Sequence, residues 1–484
     1  MSKVSDLQSD YWVNLYQSFL NNVDISFQYY NIYNQIFFDA FRKTVNDGGK
    51  PLLSDIMNIE KINSLYKNWL KKSDLEIDKL LKTREFSNLI SNHFSLLANL
   101  QKNLKQFVPY SDYFHKIYDD ILKNIYSFLS LQKDLEISPF EIEYTNGNMR
   151  LLHFKNNNEN NENINSILII YATINRFHIL DIDHNRSVIR SLLSKGLDVY
   201  VLDWGYPSTF VDISLDDYVE YVKQAVTHIQ LQNKQNNKKI HNSFDNANND
   251  SVNSKKIIAK IDDLQACNRI SLLGYCWGGI IALLYASIYD KNVKNLTLLA
   301  SPIDLEKDNT ILSTWAKAVD IDNYIDQYGH FDGTIIDMGF VMRNPARNAY
   351  DKYASLIQKN KDLESLKMFI SVERWLYDSP IIPGKFIRQM INDCYKKNLL
   401  IKNKMKIHDK SVILKDIYMP VLTIVSDNDD LVSAESSFEI NNYVSSKKKR
   451  ILRAPGGGHV GLCISKTAHE KIWPKAAEWI LTEQ

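Results

Sequence analysis

The sequence predicts an α/β architecture, a mostly parallel sheet covered by helices, with an all-helical region ahead of it and a helical cap inserted into it. Three observations predict this. From about Ser138 short β-branched runs alternate with helical stretches. Most of these runs are near-continuously apolar, as expected of parallel strands covered on both faces. Two of them, ending near Ala300 and starting at Val421, are separated by roughly 120 residues, too many for one crossover.

Taken in order, residues 1–135 contain only Pro51 and Pro109, and Trp12, Leu15, Phe19, Val23, Phe27, Tyr30, Tyr33, Phe37 and Phe41 step by three or four. That spacing places them along one side of a long helix. An α/β domain is expected over 136–484. Its strand candidates are Ser166–Tyr171, Asp198–Asp203, Arg269–Leu273, Asn295–Ala300, Val421–Ser426 and Arg450–Arg453. Residues 156–165, almost all Asn and Glu, and 232–254, rich in Asn, Lys and Ser, bury too little apolar surface to offset their ordering entropy. Both are expected to be mobile surface loops. The cap is expected over about 304–379.

Composition narrows the function classes. Lys and Arg number 58 against 57 Asp and Glu, a formal charge of +1, so no bulk field recommends nucleic acid or an anionic membrane as partner. Cys267, Cys276, Cys394 and Cys463 show no C-x-x-C pairing, which argues against a disulfide framework or a zinc ribbon and for a reducing compartment. The N-terminus lacks the basic-then-apolar order of a signal peptide, so a cytoplasmic protein is expected. Ile270–Tyr289 holds 20 residues without a charge, near the length of a membrane span. Gly274, Gly278 and Gly279 inside it, with β-type residues before and helix formers after, point instead to strand, turn and helix in a buried core, and no transmembrane segment is expected. Gly48-Gly49-Lys50-Pro51 lacks the pattern of a phosphate loop, and no His-Glu-x-x-His or other metal spacing appears.

The strongest chemical signal is Ser271-Leu272-Leu273-Gly274-Tyr275-Cys276-Trp277-Gly278-Gly279. A nucleophile elbow needs an apolar strand, a turn tight enough to strain its nucleophile, and small residues two before and two after it. Gly274 and Gly278 supply these, and Cys276 stands at the nucleophile's position. The helix that follows, Ile280–Ile288, turns its N-terminal dipole toward a thiolate and a developing oxyanion. In an α/β-hydrolase the acid and the histidine come later, in loops after late strands. Val421–Ser426 is followed by Asp427, Asp429 and Asp430, and Ile451–Arg453 leads through Gly456, Gly457 and Gly458 to His459. An oxyanion hole is expected from the backbone N–H of Trp277 and one beyond an early strand, with Thr173 the second donor.

Gly274-Tyr275-Cys276-Trp277-Gly278-Gly279 resembles the G-x-C-x-G-G box of polyhydroxyalkanoate synthases. The similarity extends through Tyr171–Arg176, Gly196–Tyr200, Asp203–Pro207, Ser301–Asp304, Glu373–Pro380 and Gly457–Gly461, covering roughly 138–480. It looks most like the catalytic subunit of the two-component synthases. The resemblance implies an α/β-hydrolase fold and polymerisation of (R)-3-hydroxyacyl-CoA to a polyester with release of CoA. It implies Cys276 as acylated nucleophile, His459 as its base and Asp429 as the acid, with no cofactor and no metal. It further implies a homodimer, a second helical subunit, and contact of the growing polyester chain with a cytoplasmic granule. The chain departs from the family at Asp430, which occupies a histidine's place, and in its long leader and Asn-rich segments. Two other readings stand beside this one. A cysteine hydrolase of the dienelactone type shares the elbow, on a usually much shorter chain. A non-catalytic scaffold would use its leader to bind granules or a partner.

Overall fold

The computed structural model describes residues 138–155, 165–207, 212–245, 269–333, 335–336, 340, 363–376 and 378–483. The chain divides into two compact units, Met1–Lys133 with Ala346–Lys367, and Asp134–Pro345 with Met368–Gln484. The sheet and the site belong to the second. The helical region expected over 1–135 lies outside the described residues, as do 156–164 and 246–254 of the Asn-rich segments.

Eight strands form one sheet: β1 (Glu141–Asn146), β2 (Met149–Phe154), β3 (Asn165–Ile170), β4 (Leu197–Asp203), β5 (Ile270–Tyr275), β6 (Val293–Leu299), β7 (Val421–Ser426) and β8 (Lys449–Ala454). Their spatial order is β1-β2-β4-β3-β5-β6-β7-β8. β2 runs antiparallel to β1 and to β4, and every pairing from β4 to β8 is parallel. All six expected strands are present, with ends shifted by at most two residues. The β1–β2 hairpin is additional. β3 and β5 to β7 are buried almost throughout, which is why they read as unbroken apolar runs. Strand order reverses around β3, with β4 on one side and β5 on the other, and in such sheets ligands bind beyond the carboxyl ends at the reversal.

Helices α1 (Val188–Leu193), α2 (Leu215–Asp245) and α3 (Trp277–Ile288) accompany the first half of the sheet. α2 corrects the expectation of a loop from Gln232. Gln232–Asp245 contains neither Gly nor Pro, and Asn233 is buried at the start of this polar stretch, its amide donating to Ser166 Oγ of β3 at 3.1 Å. A helix already nucleated and anchored there propagates through Gln, Lys and Asn at little cost per residue. The uncharged stretch Ile270–Tyr289 is β5 and α3, and no helix among the described residues is long and apolar enough to cross a membrane.

Between β6 and β7 the described elements are α4 (Ile311–Ala318), α5 (Ile321–Tyr328), α6 (Leu363–Leu376), α7 (Gly384–Gln389) and a π-helix, Met390–Lys396, with a short ribbon pairing His330–Phe331 to Ile382–Pro383. Thr310 caps α4 by accepting from Ser313 N, and Asp320 caps α5 by accepting from Asn323 N. α8 (Gly458–Ile464) and α9 (Trp473–Thr482) close the chain, and Trp473 is fully buried with its indole N–H on Leu462 O.

Candidate active site

At the end of β5 the backbone turns into α3 through Cys276, whose φ of 54° and ψ of −123° lie where a non-glycine residue is strained. Its amide N–H continues the ladder to Leu299 O of β6 at 2.9 Å, and its carbonyl accepts from Gly279 N at 2.9 Å. The turn is possible because of what the neighbours lack. A Cβ on Gly278 would stand 2.0 Å from Ile170 O and 2.6 Å from the Tyr171 carbonyl carbon, and one on Gly274 would stand 2.4 Å from Gly279 Cα. The first turn of α3 therefore packs directly on the backbone that leaves β3. Cys276 itself is half-buried.

His459 arrives from the far end of the sheet. β8 ends at Ala454, and Gly456, Gly457 and Gly458 follow with φ of 131°, 93° and 61°. Three left-handed residues in succession are open to glycine and strained for other types. They reverse the chain so that His459, in the first turn of α8, faces inward and is buried. Its Nδ1 lies 2.8 Å from Asp429 Oδ2, the carboxylate being 2% exposed. The other oxygen, Oδ1, accepts from Leu431 N at 2.9 Å and Val432 N at 3.0 Å, which fixes the carboxylate behind the ring. Asp427 points outward onto Arg453 at 2.7 Å, and Asp430 is exposed.

The Cys276 side chain lies close enough to the imidazole to act on its charge. Burial alone would lower the pKa of His459, but the Asp429 carboxylate and then the Cys276 sulfur outweigh it and push it up to about 10. Tyr275 stacks on the ring with centroids 5.1 Å apart and planes 27° apart. Burial lifts the thiols of Cys394 and Cys463 to about 12, so neither is a thiolate at neutral pH. Among the described residues no group of three or more His, Cys, Asp and Glu is arranged to hold a metal ion.

A family model described as alpha/beta hydrolase fold matches residues 167–463, which include Cys276, Asp429 and His459. The chain is 31% identical over 351 residues to the poly(3-hydroxyalkanoate) polymerase subunit PhaC of Haloferax mediterranei, covering 71% of this chain and 63% of that one. It is 29% identical to the subunit of the same name from Synechocystis over 402 residues, 81% of this chain and 96% of that one. With the subunit from Allochromatium vinosum the identity is 30% over 316 residues, covering 65% of this chain and 80% of that one. The chain belongs to the poly(3-hydroxyalkanoate) polymerase family, on the α/β-hydrolase fold. It is accordingly an acyltransferase.

In this polymerase the structure brings together Cys276, His459 and Asp429, residues far apart in sequence. Trp277 opens α3, and its indole N–H donates to the Tyr395 hydroxyl at 3.0 Å. Thr173 is buried in the loop after β3, and its hydroxyl has no hydrogen-bond partner among the described residues. Ile170 pairs with Gly274, so that loop leaves the sheet beside the elbow. Sequence reasoning missed Tyr275 as the ring against His459, and Tyr395, which the π-helix carries to Trp277. It also missed that Tyr171, Arg176, Asp203 and Trp204 form one buried cluster. Asp203 accepts from Arg176 at 2.9 Å and from the Tyr171 hydroxyl at 3.2 Å, and Trp204 Nε1 donates to Tyr171 O at 3.1 Å. The signal was present as an Asp, an Arg and two large aromatics inside otherwise apolar strand ends.

Proposed function

We propose that this chain polymerises (R)-3-hydroxyacyl-CoA into polyester through an acyl-enzyme on Cys276, with His459 as base and Asp429 orienting the ring. The observation that carries the reading is the convergence of a strained cysteine at a helix N-terminus with an imidazole held at 2.8 Å by a buried carboxylate. A ring whose pKa is raised by its neighbours is a ready acceptor for the cysteine proton. The sulfur then attacks the thioester carbonyl, the C–S bond to CoA breaks, and the imidazolium returns its proton to the departing CoA thiolate. In the next step His459 takes the proton of an incoming 3-hydroxyl, which attacks the acyl-cysteine carbonyl. An ester bond forms, the Cys276 sulfur leaves and is reprotonated, and the lengthened chain is released as its CoA thioester to acylate Cys276 again.

Backbone N–H groups of Trp277 and Thr173 are the donors this reading assigns to the oxyanion, Trp277 at the start of α3 and Thr173 beyond β3. A thiol nucleophile suits the work, because exchange between thioesters is nearly isoenergetic. Water must be kept from the acyl-enzyme, and this reading gives that task to elements between β6 and β7. The names carried by the relatives support polyester as product. A homodimer, a second helical subunit and a granule surface belong to the same reading.

The test is incubation of the purified protein with 3-hydroxybutyryl-CoA, alone and with a second synthase subunit, following CoA release and polymer together. Polymer with stoichiometric CoA is expected, and Cys276→Ala should abolish both. Free hydroxy acid without polymer in either arm would replace the proposal with a cysteine hydrolase. Full synthesis by Cys276→Ala would end the acyl-cysteine route.

A further inference from the structure

The loop that leaves β3 is held by a side chain to which the mechanism above gives no role. Asn175 is buried, and its φ is 58°, a left-handed conformation that asparagine tolerates better than most residues. Its side-chain amide donates to Ser379 Oγ at 2.7 Å, to Leu376 O at 2.9 Å and to Trp375 O at 3.3 Å. In the opposite direction, Trp375 Nε1 donates to Arg176 O at 2.6 Å. Adjacent residues of one loop are thus tied to one short segment, the C-terminal end of α6 and the turn after it. The other end of the loop is equally constrained, since Gly278 packs on the Ile170 and Tyr171 backbone and Trp204 donates to Tyr171 O.

We infer that Asn175 is a positioning residue, which fixes the loop after β3 to residues 375–379 and thereby aims that loop's backbone N–H groups at the carbonyl carried by Cys276. This rests on the acyl-cysteine reading and adds the residue that shapes half of its oxyanion site. Oxyanion donors act only when aimed at the place where charge develops, so a loop free to drift loses rate without losing the nucleophile. The position of the segment that carries Trp375, Leu376 and Ser379 and the shape of the oxyanion site are therefore one structural variable.

Two reactions of the same sulfur separate this role from a merely structural one. Acylation by 3-hydroxybutyryl-CoA passes through a tetrahedral oxyanion, whereas alkylation by iodoacetamide displaces iodide at a saturated carbon and forms none. Asn175→Asp keeps the size and the tolerance for positive φ but removes both amide donors. Trp375→Phe removes the donor to Arg176 O, and Ser379→Ala removes one acceptor. In the full-length protein, the burst of CoA release should slow about 10- to 100-fold in the first two variants and about threefold in the third. The effect should fall on kcat, with KM and the iodoacetamide rate within about twofold of the parent. If Asn175→Asp does not fold, Trp375→Phe and Ser379→Ala decide the matter. Unchanged acylation in those folded variants, or acylation and alkylation falling together, would overturn the assignment. Failure of the acyl-cysteine reading shows separately, as absence of a CoA burst in the parent protein.

Discussion

Replacing Asp429 with Asn tests the triad at the point where geometry and charge make different contributions. The lift of His459 from 6.5 to about 10 amounts, at 1.36 kcal/mol per pH unit, to roughly 5 kcal/mol in favour of imidazolium. It is supplied by Asp429 and Cys276 against the opposing effect of burial. The carboxylate charge is the larger of these two contributions, and loss of a triad acid typically costs about 10² or more in rate. The hydrogen bonds add a second penalty. Oδ1 accepts from Leu431 N and Val432 N, so an asparagine keeps its oxygen there and turns its NH2 toward Nδ1 of His459. That forces the imidazole proton onto the other nitrogen, the one needed to receive the cysteine proton. The CoA burst from 3-hydroxybutyryl-CoA should therefore fall at least about 10²-fold, and iodoacetamide alkylation of Cys276 at pH 7 should fall with it. Asp427→Asn and Asp430→Asn should stay within about threefold of the parent. If Asp429→Asn kept its burst while Asp430→Asn lost it, the assignment of the acid and the energetic argument would both be wrong.

Three further predictions follow from particular contacts. A short iodoacetamide pulse at pH 7 should label Cys276 and leave Cys394 and Cys463 unmodified, because burial lifts both of these to about 12; peptide mapping reads the three sites directly. Gly278→Ala should cost at least about 3 kcal/mol or prevent folding, since its Cβ meets Ile170 O at 2.0 Å. Gly461→Ala, in a helix with its nearest neighbour at 4.0 Å, should be neutral or raise the melting temperature. His153 lies between Asp198 and Glu143, each at 2.9 Å; burial opposes its charge, but the two carboxylates outweigh that and raise its pKa. The stability it adds is complete below about 6.5, its unfolded-state value, and is lost as pH rises through the raised one, so His153→Gln should destabilise more at pH 5.5 than at pH 9.5 in urea titrations.

What could be read in advance follows burial. Strands covered on both faces show themselves as apolar runs, whereas β1, with the pattern Glu-Ile-Glu-Tyr-Thr-Asn and no buried residue, does not. Its partner β2 carries Arg150, which pairs with Asp203, and His153 between its carboxylates, so polar residues interrupt a strand that is otherwise buried. The hairpin signal was the Gly147-Asn148 pair between them, with Gly147 at a φ of 59°. α2 went unread for the opposite reason: composition argued for a loop where a helix anchored by Asn233 had no breaker to stop it.

In the site, legibility follows the range of the constraint. Cys276 and His459 are each marked by glycines a few residues away, because a tight turn is a local steric problem and leaves a local trace. The choice among Asp427, Asp429 and Asp430 leaves none. The turn after β7 points Asp429 inward, where its carboxylate meets Leu431 N, Val432 N and a histidine 30 positions on. The loop after β3 is a still longer-range case, since Asn175 finds its partners 200 and more positions downstream. Residues that carry out a step can thus be located from their own neighbourhood, while residues that aim it depend on contacts made only when the insertion between β6 and β7 folds back. A variant at Asn175 and one at Asp429 should accordingly behave differently: the first should lose acylation alone, and the second acylation and thiol reactivity together.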